Sequence, residues 1–570
     1  MGLRAKFIGA IGTVTGSCTL LHYDLSDSYY LVDCGMYQGF PGAEERNRRK
    51  FEFDPKRLSA VLLTHAHVDH CGLLPRLIRE GFRGKVICTR ATAEFTKVAL
   101  QDPVGGESDL WDSHSVALLD GMFLCPDDRQ DFVLGHTIPL DQDLFCMFLR
   151  SAHVVGSVSI AVRVNITTTQ NVTVTFSGDI GPCADGALHG GMQKRRHYPN
   201  PQTSVVVCES TYGGKKRRPE SATFAARTAA LADVLGRALN RGPDPIVVFP
   251  SFSLQRMQDL IVDMDYVFRH HDMPWPHATS VTLCVDSDMA RRHSEVMFKE
   301  LQRKDAKGRR RWLNAESPLF AGMSDAEIDD RLRPLLIPSG WEPPIQANGR
   351  AWSVSYGNPS RSSGPRIIFA GPGTCMGGRA LKHLTEQVRN PNATIVFSGY
   401  VPMTSPGYKL RLLRSGGEAA ASVKVLRFGE LECTPEEVKA AIENLGEYYS
   451  GHTDEDGLID FMLTKDTPKP APPLSIILNH GDRVGREALK QRLAAVAAEG
   501  GGAVALKAIK QVHLPDWNDG WFDLVKGEWE ESAVLPVDVE ERLSRVERAI
   551  ADVLANQEEI MRRLDTTDRR

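Results

Sequence analysis

Four residues of metal-binding type fall within six positions, at His65, His67, Asp69 and His70. An apolar run, Val61 to Thr64, precedes them and a helix-like run, Gly72 to Glu80, follows. They therefore occupy a strand-to-helix corner. His65 and His67 are two apart, so in an extended segment their imidazoles leave on the same side. Asp69 and His70 fall where the chain turns and can address a second position close by. Neutral imidazoles and a carboxylate so arranged suit two adjacent zinc ions.

The same pattern recurs along the first part of the chain. The strand-like run Cys146 to Ser151 delivers His153 into a small-residue loop, Val172 to Ser177 delivers Asp179, and Ser204 to Cys208 delivers Glu209. Tyr29 to Val32 delivers Asp33, a candidate carboxylate for orienting a ligand from behind. A series of strand ends that each offer such a residue implies a site built along one sheet edge.

These residues carry a resemblance. Asp33, the His65 to His70 loop, His153 and Asp179 resemble the four motifs of the metallo-β-lactamase superfamily. Glu209 in Cys208-Glu-Ser-Thr-Tyr-Gly213, His452 in Tyr449-Ser-Gly-His-Thr-Asp454 and His480 in Ile476-Ile-Leu-Asn-His-Gly-Asp482 resemble three further motifs of its β-CASP nucleases. The match runs in order from about residue 3 to 515. It looks closer to prokaryotic relatives of the pre-mRNA 3′-end cleavage endonuclease than to ribonuclease J. One departure stands out: Pro372-Gly-Thr374 replaces the family's usual Ser-Gly-Met before the paired glycines, in the wall of the expected substrate channel.

The resemblance implies an α/β fold: a metallo-β-lactamase αββα sandwich with an inserted α/β β-CASP cap domain. The expected partition is residues 1–209 and 445–515 for the lactamase-like domain and 210–444 for the β-CASP domain. A linker over 516–536 and a coiled-coil tail over 537–566 would follow. The resemblance also implies two Zn2+ per chain. His65, His67 and His153 would hold one, Asp69, His70 and His480 the other, and Asp179 would bridge them. His452 would be the general acid and Glu209 its hydrogen-bond partner. The implied activity is cleavage of phosphodiester bonds in single-stranded RNA, leaving 3′-hydroxyl and 5′-phosphate ends. RNA is expected over DNA because DNA-cutting members typically carry Val where this chain has His480. The alternatives are a DNA nuclease of the same family, a small-ester or thioester hydrolase on the lactamase fold, and a binding module without catalysis.

The elements around the site are legible as patterns. Between 210 and 445 apolar strands alternate with helical runs, as in a parallel α/β unit. Two basic runs stand in this region, Lys215-Lys-Arg-Arg218 and Lys307-Gly-Arg-Arg-Arg-Trp312. The second reads as a solvated face. The first lies six residues beyond Glu209, so Lys215, Lys216, Arg217 and Arg218 are candidate RNA contacts. Arg379, just past the paired glycines, is another.

Length and composition set outer bounds. A chain of 570 residues suggests several domains. With a net charge of −4, it can hold a polyanion only through local patches. Eleven cysteines without a Cys-x-x-Cys pair indicate reduced thiols rather than a disulfide framework, hence a cytoplasmic location. No signal peptide and no membrane span is expected. In the tail, Val539, Leu543, Val546, Ile550, Val553, Gln557, Ile560 and Leu564 alternate spacings of four and three. That is a heptad seam, and its β-branched d positions predict a homo-oligomer above the dimer, or docking of a partner there.

Overall fold

The computed structural model describes residues 2–101, 110–182, 191–276, 280–340, 342–359, 364–399, 401–402, 405–464, 471–498 and 507–530. The heptad segment lies outside the described residues. The chain divides into two units, Met1–Glu528 and Trp529–Arg570, and all that follows concerns the first.

Three large sheets make up that unit. The first carries Leu3–Phe7, Thr19–Tyr23, Ser28–Val32, Leu58–Leu62, Lys85–Ile87 and Phe123–Leu124 side by side. Its alternating side chains sort onto two faces. Leu31, Val61 and Val86 pack with Leu74, Leu77 and Ile78 of the helix Leu74–Arg79. On the other face Tyr30 and Tyr23 donate hydroxyl hydrogen bonds to the carbonyls of Leu140 and Gln142, at the edge of the second sheet.

The second sheet runs Ile509–His513, Leu474–Asn479, Thr203–Glu209, Asn171–Phe176, Val158–Asn165, Leu144–Arg150, Thr137–Asp141. Val206, Cys208, Ile476 and Leu478 pack outward on the helices Glu455–Leu463 and Arg483–Ala498. Val205, Val207 and Ile477 are buried on the opposite face. Helices thus cover the outer faces and the two sheets meet between them.

The third sheet is built from residues 246–444, in the order Ile345–Ala347, Arg350–Tyr356, Val281–Asp286, Arg366–Ala370, Ile246–Pro250, Ala393–Phe397, Ala441–Asn444. All neighbours are parallel except the first pair. Parallel pairing requires crossovers, and the helices Arg256–His270, Asp288–Gln302 and Gly378–Gln387 supply them. No helix among the described residues is long and apolar enough to cross a membrane. Ten cysteines among the described residues are buried.

Two sequence expectations need correction. The run Lys307 to Trp312 is a solvated face only in its first half: Lys307 and Arg309 are exposed, whereas Arg310 and Arg311 are buried and Trp312 is 2% exposed. Arg310 donates to Asp325, Asp329 and the Leu301 carbonyl, so its charge is neutralised inside the domain. Within the expected linker 516–536, the described residues up to 528 do more than connect. Phe522–Asp523 pairs antiparallel with Leu3–Phe7, and Phe522 and Leu524 are fully buried. Their apolar side chains complete the first sheet, a role the Trp/Asp/Gly-rich composition there conceals.

Candidate metal centre and its paired histidine

Strand register brings the site residues together. In the second sheet Thr203–Glu209 lies between two parallel neighbours, with Val207 opposite Phe176 and Glu209 opposite Asn479. Three strands therefore end at one edge and release Asp179, Glu209 and His480. In the first sheet Val32 pairs with Leu62, which sets Asp33 beside Thr64 and His65. Asp33 and His480 both adopt positive φ, 61° and 48°. Few non-glycine residues adopt that conformation, though Asp and His do so more readily than most. The backbone N–H of Asp33 donates to the Leu62 carbonyl and that of His480 to the Ala10 carbonyl, which hold the two turns.

The ligand atoms converge in groups whose members lie within 4.8 Å of one another. One is His65, His67, His153 and Asp179; a second is Asp69, His70, Asp179 and His480; a third is Asp179, Glu209 and His452. Asp179 belongs to all three. Its Oδ2 lies 3.6 Å from His65 Nε2 and 3.4 Å from His153 Nε2, and its Oδ1 lies 3.2 Å from His70 Nε2. His67 Nδ1 sits 3.1 Å from His65 Nε2 and 3.0 Å from His153 Nε2. Nitrogens bound tetrahedrally to one zinc at about 2.0–2.1 Å would stand roughly 3.3 Å apart, close to these separations. One proton cannot satisfy a nitrogen shared between two others. Asp179 Oδ1 is buried and, among the described residues, accepts no well-aligned hydrogen bond, His70 Nε2 being near but off-axis. A carboxylate oxygen orphaned among ring nitrogens is what a bound cation would satisfy, so the residues fit a metal.

Burial holds His65 and His153 well below the usual imidazole range and brings His67 to about 4. All three present neutral rings, the form that ligates. His70 goes the other way: burial opposes it, but Asp179 and Asp33 raise it.

Groups behind the cluster fix the rings. His70 Nδ1 is 2.7 Å from Asp33, which turns its Nε2 toward Asp179. Asp33 in turn accepts from the Thr64 amide and hydroxyl. His153 Nδ1 donates to the Gly451 carbonyl at 2.8 Å and so directs its Nε2 inward. Thr64 and Gly451 escaped the sequence reading. One acts partly and the other wholly through backbone atoms, and nothing in their residue types signals it.

His452 stands at the rim. Its Nε2 is 3.8 Å from Asp179, and Glu209 holds its Nδ1. Glu209 also accepts from the Ile180 amide at 2.6 Å. Burial alone would lower the His452 pKa, but the charges of Glu209 and Asp179 outweigh it and raise the pKa to about 10.

The candidate RNA contacts are mostly engaged already. Arg218 forms a two-pronged pair with Glu447, Lys216 lies 3.0 Å from Asp456, and Arg217 donates to the His452 carbonyl at 2.6 Å. Arg379 pairs with Asp286. Lys215 instead lies over the ring of Tyr212, itself 5.9 Å from the His452 ring.

Comparison with known proteins adds the following. The Beta-Casp domain matches residues 257–410 and the Metallo-beta-lactamase superfamily matches residues 11–197. Ribonuclease TTHA0252 of Thermus thermophilus is 29% identical over 86% of this chain and 96% of its own length. Transcription termination factor FttA of Methanocaldococcus jannaschii is 24% identical over 84% of this chain and 67% of its own. Integrator complex subunit 11 of Danio rerio is 22% identical over 86% and 71%.

Proposed function

Since the chain belongs to the β-CASP branch of the metallo-β-lactamase superfamily, we propose that it is a two-zinc ribonuclease, cutting single-stranded RNA to 3′-hydroxyl and 5′-phosphate ends. One zinc would be held by His65, His67 and His153 and the other by Asp69, His70 and His480, with Asp179 between them. Bound there, the ions supply Lewis acidity and an activated water.

The observation that carries the reading is the His452–Glu209 pair beside the cluster. A hydrolase acting on an activated ester has little need of a half-buried, carboxylate-held imidazole, because its leaving group departs without a proton. A ribose 3′ oxygen needs one. With Nδ1 fixed by Glu209, His452 offers Nε2 toward the cluster and can deliver that proton. The name of the Thermus relative supports an RNA substrate, as does the His480 resemblance.

The domain partition 1–209, 210–444 and 445–515 belongs to the same proposal. So do a reducing, cytoplasmic setting and self-association through 537–566. The test incubates zinc-loaded protein with matched single-stranded RNA and DNA, labelled at the 5′ end or internally. Faster RNA cleavage with 5′-phosphate products is expected. DNA cut equally fast, or turnover confined to small esters, overturns the proposal.

A further inference from the structure

The helix Arg256–His270 starts beside the metal cluster with a cation that has no acid partner at bonding distance among the described residues. The residue before it, Gln255, adopts φ 70°. Gln255 accepts from the Val155 amide at 3.0 Å and donates to Asp259 at 2.8 Å, tying the His153 loop to this helix. Arg256 is thereby held against the loop that carries His452. A Cβ placed on Gly451 would stand 3.2 Å from Arg256 Nη2 and 3.1 Å from His153 Cε1.

The bonding of the guanidinium is incomplete. Nη1 donates to the Ser398 carbonyl at 3.2 Å, while Nε is buried without a partner. No carboxylate lies within 4.0 Å of Arg256 among the described residues. Asp259 acts on it only from farther away, and the neighbouring cation Arg217 opposes it. The residue is nevertheless partly open to solvent. Taking a cation even partly out of water is costly unless a counter-charge compensates. Among the described residues the fold provides none at bonding distance. Arginine is well suited to grip phosphate oxygens with two parallel donors.

We propose that Arg256 binds a phosphate of the substrate strand next to the bond being cut, seating the strand against His153 and His452. This rests on the ribonuclease reading and names the group that would position the substrate.

The experiment measures binding of a fluorescent single-stranded RNA to zinc-loaded His452→Ala protein by anisotropy over a range of salt. Adding Arg256→Gln is expected to weaken binding roughly ten- to a hundredfold. The dependence of log affinity on log salt should become shallower by about one. Arg256→Lys should restore the slope. Neutral methylphosphonates are then placed at one linkage at a time. One position should cost the parent affinity and cost the Gln variant nothing. An unchanged slope, or a methylphosphonate profile identical in parent and variant, overturns the proposal. If the Gln variant does not fold, the parent profile decides: a single dominant linkage at the cut supports it, and uniform small losses overturn it. Wild-type protein that neither binds nor cuts RNA refutes the ribonuclease reading itself. Wild-type protein that cuts RNA, with Arg256→Gln indistinguishable from it, refutes only the role of Arg256.

Discussion

Both carboxylate oxygens of Glu209 lie 3.0 Å from Nδ1 of His452. Glu209 is itself clamped by the Ile180 amide, so the histidine takes its orientation from the strand edge that also releases Asp179. Position and proton are set by one contact.

His452→Ala should therefore keep the bound metal and lose roughly 10²–10⁴-fold in cleavage rate, the usual range for a removed general acid. Metal analysis beside single-turnover kinetics checks this. Loss of metal in the variant would place His452 among the ligands instead.

Asp179→Ala removes the one residue common to all three ligand groups. Metal content should fall and cleavage should vanish. Circular dichroism should stay near wild type. Chelation of the wild-type protein should lower its Tm, because the assembled cluster holds metal more tightly than the unfolded chain does. Full metal content with normal turnover in the variant would refute the ligand assignment.

Gly451→Ala forces a methyl group against His153 Cε1 at 3.1 Å. The ring must shift by a few tenths of an ångström and its bond to the Gly451 carbonyl must bend. Disturbing such a supporting contact typically costs about 10–100-fold in metal affinity. Competition against a calibrated chelator measures it, and unchanged affinity would show that this carbonyl does not orient the ring.

Glu447 is held at about 2, chiefly by its hydrogen bond to Arg218. Its folded pKa lies below the unfolded value near 4.5. The pair therefore stabilises the protein above about pH 4.5 and loses that contribution as pH falls through 2. Both side chains are partly exposed, which limits the effect to about 1 kcal/mol. Glu447→Gln should lower stability by that much at pH 7 and by almost nothing near pH 2. Denaturant titrations at the two pH values test the sign.

The site was legible where chemistry sits on strand ends. His65, His67, Asp69, His70, His153, Asp179, Glu209 and His480 each follow an apolar run, and a sheet edge gathers such residues whatever their separation in sequence. Asp33 was legible for the same reason. Arg256 was not, because an arginine opening a helix looks like any solvated charge until its missing partner is seen. Gly451 and Thr64 work through backbone atoms or a short hydroxyl. In the fold, Arg310 and Trp312 misled because local composition cannot show which acids a distant helix will bring. Phe522 was hidden because a two-residue strand leaves no periodicity to read.

His70 and His480 face each other across 410 residues of sequence. The distance has a consequence in time. At roughly 5–20 residues per second, a ribosome needs about 20–80 s to travel from the first of these histidines to the second. His65, His67 and His70 exist throughout that interval, and once His153 and Asp179 have been added the nascent chain displays all five without His480 for the remainder of it. The strand Thr203–Glu209 likewise lacks its neighbour Leu474–Asn479. Whatever ion the early histidines meet is met before the protein can discriminate, so accurate loading belongs to the finished chain and depends on release of any first occupant.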